Sequence, residues 1–107
     1  VQRLASKKVP VLAGTDAPSP GQTYGASLHG EMELLVRAGL SASQSLIAAT
    51  SAPARAFGLM DRGCISPGLR ADLLLVEGDP TKDVYATRRI VAIWKRGVRV
   101  VRAEYDN

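Results

Sequence analysis

Lys8-Val9-Pro10-Val11-Leu12-Ala13 is followed at once by Gly14-Thr15-Asp16. The apolar residues run on instead of alternating, which predicts a strand buried on both faces, as in a parallel sheet. Pro10 removes one ladder donor and counts against a central position. An aspartate directly after such a strand stands where barrel enzymes place catalytic groups. Its carboxylate could ligate a divalent metal and accept a proton from metal-bound water. The plainer reading of Asp16 is an Asx turn, its carboxylate accepting from nearby backbone amides, and local sequence alone favours it. Pro18, Pro20, Gly21 and Gly25 then make Ala17 to Ala26 a loop.

Downstream of that loop the period becomes helical. Leu28, Met32, Leu35 and Val36 share one face of a helix over Leu28–Ala38, and Gly39 suits the left-handed position beyond its end. Ser41-Ala42-Ser43-Gln44 reads as a capping box opening a helix to about Thr50 that buries Leu46, Ile47 and Ala48 or Ala49. Pro53 opens a short helix to Phe57, and Ala52, Ala54 and Ala56 predict close packing there. After Gly58 the pattern turns to β. Short extended pieces flank Cys64-Ile65, Ala71–Glu77 is a strand, and Ile90–Lys95 with Val98–Arg102 make a hairpin around Arg96-Gly97.

The chain has 107 residues, 46% of them hydrophobic and 22% charged, a composition suited to one ordinary globular domain. No apolar run approaches the ~20 residues of a membrane span, and Val1 to Lys8 has no signal-peptide block. The lack of an initiator methionine predicts a chain cut at this end. Fourteen Lys and Arg against ten Asp and Glu leave a net charge of +4. The densest basic stretch, Arg88 to Arg102, has only Trp94 among its cations. It reads as a solvated sheet edge protected by charge, not as a nucleic-acid surface. One cysteine, Cys64, excludes an internal disulfide and fits a reducing, cytoplasmic setting. Cys64 reads as a small buried hydrophobe, and Phe57 and Trp94 as core anchors.

There is no phosphate-binding glycine loop, no Gly-x-Gly-x-x-Gly, no His-Glu-x-x-His and no Cys-x-x-Cys. A Ser27/His29/Asp16 triad can be written down, but nothing in the sequence places the three within reach. His29 and Glu31 at the start of the first helix have two readings. They face the same mouth as Asp16, touching substrate or supporting metal ligands. Otherwise Glu31 complements the helix dipole beside a partly exposed His29, the reading local sequence favours.

Taken in order, the pieces resemble the amidohydrolase superfamily of metal-dependent hydrolases, in its prolidase-like and imidazolonepropionase-like branches. Val11-Leu12-Ala13-Gly14-Thr15-Asp16-Ala17-Pro18 looks like the family's last barrel strand. The likeness runs through Leu28-His29-Gly30-Glu31-Met32-Glu33-Leu34-Leu35, Ala38-Gly39-Leu40-Ser41 and Ala48-Ala49-Thr50-Ser51-Ala52-Pro53-Ala54-Arg55. It ends in Gly63-Cys64-Ile65-Ser66-Pro67-Gly68-Leu69-Arg70-Ala71-Asp72-Leu73, Gly78-Asp79-Pro80 and the final hairpin.

The resemblance implies an α/β architecture: residues 1–58 as the last strand and helices of a (β/α)8 barrel, and residues 59–107 as part of a small β-sandwich. A whole barrel needs about 250 residues, so the chain reads as a C-terminal fragment. The implied activity is hydrolysis of a C–N bond in an amide, peptide or cyclic amide by metal-activated water. Asp16 is then both a metal ligand and the catalytic base. The implied cofactor is a divalent metal, zinc above others, as one or two ions. The family's His-x-His pair, later metal-binding histidines and bridging lysine have no counterpart here, so the rest of the barrel is the implied partner and the chain alone is expected to be inactive. The alternative is a non-enzymatic remnant that binds a partner through exposed sheet edges. An isolated barrel end also bares an apolar helix face and a strand edge, which predicts self-association or low stability.

Overall fold

The computed structural model of the chain describes residues 1–15 and 26–101. Among these residues four helices precede a three-stranded sheet: α1 (Gln2–Ser6), α2 (Ala26–Arg37), α3 (Ala42–Ala49) and α4 (Ser51–Ala56), then β1 (Leu73–Val76), β2 (Ile90–Lys95) and β3 (Val98–Arg99). A 3₁₀ turn, Val84–Arg88, lies between β1 and β2.

Local chemistry sets the helix ends. At Gly39 (φ 118°) the chain turns left-handed, so that Leu40 N–H donates to the Leu35 carbonyl and Gly39 N–H to that of Val36. These two bonds satisfy carbonyls that α2 leaves open, and Leu35 and Leu40 are both buried in the core. The capping box of α3 is fully formed: Gln44 N–H donates to Ser41 Oγ at 3.1 Å, and Ser41 N–H to Gln44 Oε1 at 2.8 Å. Ser41→Ala is therefore expected to destabilise the chain by about 1 kcal/mol, read as a lower urea midpoint at unchanged slope. Between α3 and α4 the helix breaks at Thr50 (φ −128°, ψ −87°). Pro53 explains the break, since its ring would strike the Ala49 carbonyl in a continuous helix and it has no N–H to donate. The helix accordingly restarts at Ser51, two residues before the proline.

The helical half is centred on Leu35, Leu40 and Ala48, with Ala5, Val11 and Ala13 packed against them. Inside it, Ser45 is wholly buried and donates from Oγ to the Met32 carbonyl at 2.8 Å, tying α3 to α2. The sheet is antiparallel in the order β1-β2-β3, with β1 and β3 at its edges. Leu73 faces Trp94 and Lys95 faces Val98, while a bulge at Leu75/Val76 leaves Val91 unmatched. Arg96 (φ 52°) and Gly97 (φ 79°) both take positive φ, the two-residue turn whose twist suits a hairpin. Two bonds staple that turn to the segment before β1: Arg96 N–H to Asp72 Oδ1 at 2.9 Å and Gly97 N–H to the Ala71 carbonyl at 2.9 Å.

Several expectations are corrected. Residues 8–13 form no strand: Ala13 N–H donates to the Ala48 carbonyl at 2.8 Å, and Val9 is 43% exposed. A parallel strand needs a ladder on its flanks, and among the described residues only the antiparallel sheet forms one. Phe57 is 73% exposed and Cys64 is exposed, so neither is a core residue. Ile47 is 51% exposed; Ala48 is buried as expected, and Ser45 takes the other buried place on α3. Trp94 is half-buried. The pieces around Cys64 are turns, and the second hairpin strand stops at Arg99. The sequence reading missed α1 and the 3₁₀ turn, whereas α2, α3, β1 and β2 stand within a few residues of the expected spans. Among the described residues no helix is long and apolar enough to cross a membrane.

Candidate active site

Asp16, with the Asx turn and the triad drawn through it, lies outside the described residues. The approach to it is defined: Val11 and Ala13 rest on the core formed by α2 and α3, and the chain is half-buried at Thr15.

His29 sits in the first turn of α2, half-buried. Its Nδ1 is 2.9 Å from the hydroxyl of Thr87, a residue of the 3₁₀ turn that is only 3% exposed. One helical turn further on, Glu33 takes a two-point ion pair from Arg88: Nε to Oε2 at 2.5 Å and Nη2 to Oε1 at 3.0 Å. His29 and Glu33 lie four apart and share a face, while Thr87 and Arg88 are neighbours, so the two contacts form one joint. Gly30 lies beneath it, with the Arg88 Nη2 atom 3.6 Å from where a Cβ would stand. Arg88 is thus a partner of the helix and not a cation guarding the sheet edge.

Glu31 is also half-buried. Two residues beyond His29, it projects about 200° around the helix from the joint. The structure therefore brings His29 together with Glu33, Thr87 and Arg88, and it sets Glu31 on another face. Glu33 could have been flagged by its spacing of four from His29. The other partners were not legible, because they lie 58 and 55 residues away.

Burial holds the His29 imidazole below its usual range; the Arg88 cation adds to that effect and the Glu33 carboxylate opposes it. The unfolded chain therefore takes up this proton at a higher pH than the folded one. Stability linked to His29 is complete above the unfolded value of about 6.5 and is lost as pH falls below it towards the folded value. His29→Gln is expected to flatten that part of a plot of urea midpoint against pH, the loss at lower pH from carboxylates remaining.

A second charged group lies across the fold. Arg70 Nε stands 2.7 Å from Asp72 Oδ2, and the backbone bond from Arg96 is the main cause holding the Asp72 carboxyl below its usual range. Asp72, the acid of the Ala-Asp-Leu run, thereby joins the hairpin turn to Arg70. Beside it an open apolar groove of about 700 Å³ runs between α4 and β1, lined by Leu46, Phe57, Leu59, Ile65, Leu74 and Val76 among others. Among the described residues no group of three or more His, Cys, Asp or Glu could hold a metal ion, so those residues do not by themselves fit a metal centre.

Helices packed through a buried turn onto an antiparallel sheet define this chain as an α/β unit. It belongs to the amidohydrolase family, whose sequence pattern matches residues 1–101. The chain is 35% identical over 103 residues to imidazolonepropionase of Deinococcus deserti, covering 92% of this chain and 26% of that protein. It is 41% identical over 70 residues to an adenine deaminase of Methanoculleus marisnigri, covering 65% of this chain and 12% of that one. The fold superimposes on a Xaa-Pro dipeptidase, crystallised with methionine in its active site, with a TM-score of 0.81 at 27% identity. That match spans 92% of this chain and 24% of the dipeptidase. The chain thus spans about a quarter or less of the length of these relatives.

Proposed function

We propose that this chain is the C-terminal part of a metal-dependent amidohydrolase that hydrolyses C–N bonds in an amide, peptide or cyclic amide. Residues 1–58 are the end of its barrel and residues 59–107 part of its β-sandwich. The observation that carries the reading is the superposition along nearly the whole chain on a peptide-cleaving relative, with the sequence pieces in family order. In this reading Asp16 serves as metal ligand and base, and His29 and Glu31 stand near the substrate. A divalent metal, zinc in the first instance, would supply Lewis-acid chemistry. Catalytic zinc normally takes three protein ligands, more than Asp16 provides, so the remaining ligands come from other parts of the barrel. The 107 residues alone are accordingly inactive. What the described residues themselves do is seat the approach to Asp16 on the core and fix the first turns of α2.

The test uses the protein expressed with all the sequence its gene encodes, metal-replete, beside residues 1–107 alone. The probes are imidazolonepropionate, adenine and an alanyl-proline dipeptide, chosen from the relatives. Turnover of at least one probe by the encoded protein, and of none by residues 1–107, is expected. No turnover of any probe by the encoded protein would overturn the reading. The open groove favours a second reading, a remnant that binds a partner, and that negative result would point to it.

A further inference from the structure

The joint between α2 and the 3₁₀ turn is better built than surface packing requires. Arg88 is half exposed, yet it commits both arms of its fork to Glu33, whose side chain is only 13% exposed. Planar two-point pairing fixes direction as well as distance, which a single lysine-type contact cannot do. The turn that offers Arg88 is itself anchored. Val84 and Ala86 are 2% and 0% exposed, and Asp83 caps the turn by accepting from Tyr85 N–H at 3.1 Å. Thr87 is buried, so its hydroxyl meets His29 from a fixed backbone. One rigid segment therefore grips α2 at two points one helical turn apart, which restrains both rotation about the helix axis and sliding along it.

We propose that Thr87 and Arg88 are positioning residues for the start of α2. Acting through His29 and Glu33, they set the helix that carries the site residues in place from the C-terminal β-unit. The inference rests on the hydrolase reading for its functional meaning, while the joint itself can be measured without it.

The test is hydrogen exchange, read by mass spectrometry on the full encoded protein without substrate. In Arg88→Gln and in Glu33→Gln, exchange of the amides in residues 26–33 is expected to rise about 5- to 30-fold, with residues 42–49 unchanged. The reversed pair, Glu33→Arg with Arg88→Glu, is expected to restore slow exchange. Thr87→Ser keeps it and Thr87→Val does not. With whichever probe is turned over, kcat falls in Arg88→Gln while KM holds. Unchanged exchange at 26–33 in both glutamine variants overturns the proposal, as does an equal rise over 42–49, a reversed pair that does not restore protection, or an unchanged kcat. A protein that turns over no probe overturns the hydrolase reading alone, because the exchange result still decides the joint.

Discussion

Gly63→Ala is expected to lower the stability of the chain by about 3 kcal/mol, a fall in Tm of roughly 15 °C. Gly63 takes φ +97°, and a Cβ there would lie 2.6 Å from Ala54 Cβ, 3.0 Å from the Thr50 carbonyl oxygen and 3.3 Å from Ser51 Cα. No flexible side chain stands in the way that could swing aside, because the obstacles are helix backbone and a methyl group. Two costs add: a left-handed conformation, about 1–2 kcal/mol for a residue with a Cβ, and overpacking, about 1–3 kcal/mol. Gly68 separates them. Its φ is +87° but nothing lies within 4 Å of its Cβ position, so Gly68→Ala carries the conformational cost alone. The difference between the two variants in thermal unfolding measures the contact. Adding Ala54→Gly to Gly63→Ala should recover part of the loss, and equal effects at Gly63 and Gly68 would remove close packing from the account.

On the proposed hydrolase reading, Asp16→Ala in the full encoded protein is expected to cut turnover about 10²- to 10⁴-fold, the range for removing a positioned acid–base group. Loss of a metal ligand would add to it. The Asx-turn reading predicts a different outcome, since a capping carboxylate acts through stability and activity would then follow the folded fraction. Asp16→Asn tells them apart. Asparagine still accepts from backbone amides and serves an Asx turn, but it has no negative charge and makes a poor base. A near-normal Tm with turnover still reduced by two or more powers of ten supports the catalytic role. Full activity in Asp16→Asn removes it.

What could be read from the sequence divides by the distance over which each decision is made. Ser41 with Gln44, Gly39, and Arg96-Gly97 form caps and turns from residues within five positions, and each appears where the sequence places it. Residues 8–13 have the composition of a buried strand, but a strand is decided by its neighbours, and composition cannot supply them. Phe57, Cys64 and Ile47 mislead for a related reason: hydrophobicity states what a residue can bury, whereas helix phase and the available partners state what it does bury. Of the candidate site, His29 was legible by type and position on the helix. Its partner Thr87 was not, because nothing local to either residue signals a contact across 58 positions.

That separation has a consequence for how the molecule is made. Ribosomes add about 5–20 residues per second, so α2 is synthesised roughly 3–11 s before Arg88 exists to receive Glu33. During that interval the helix waits with a buried-type carboxylate and a half-covered histidine unmatched. The cradle at Leu35, Leu40 and Ala48 can form early from residues close in sequence, but the two-point grip closes only once Thr87 and Arg88 have been made. The turn at Val84–Arg88 therefore acts as a latch on a helix translated well before it. Nonsense or frameshift lesions between β1 and β2 would leave that latch open, even though every residue of the helical half is present.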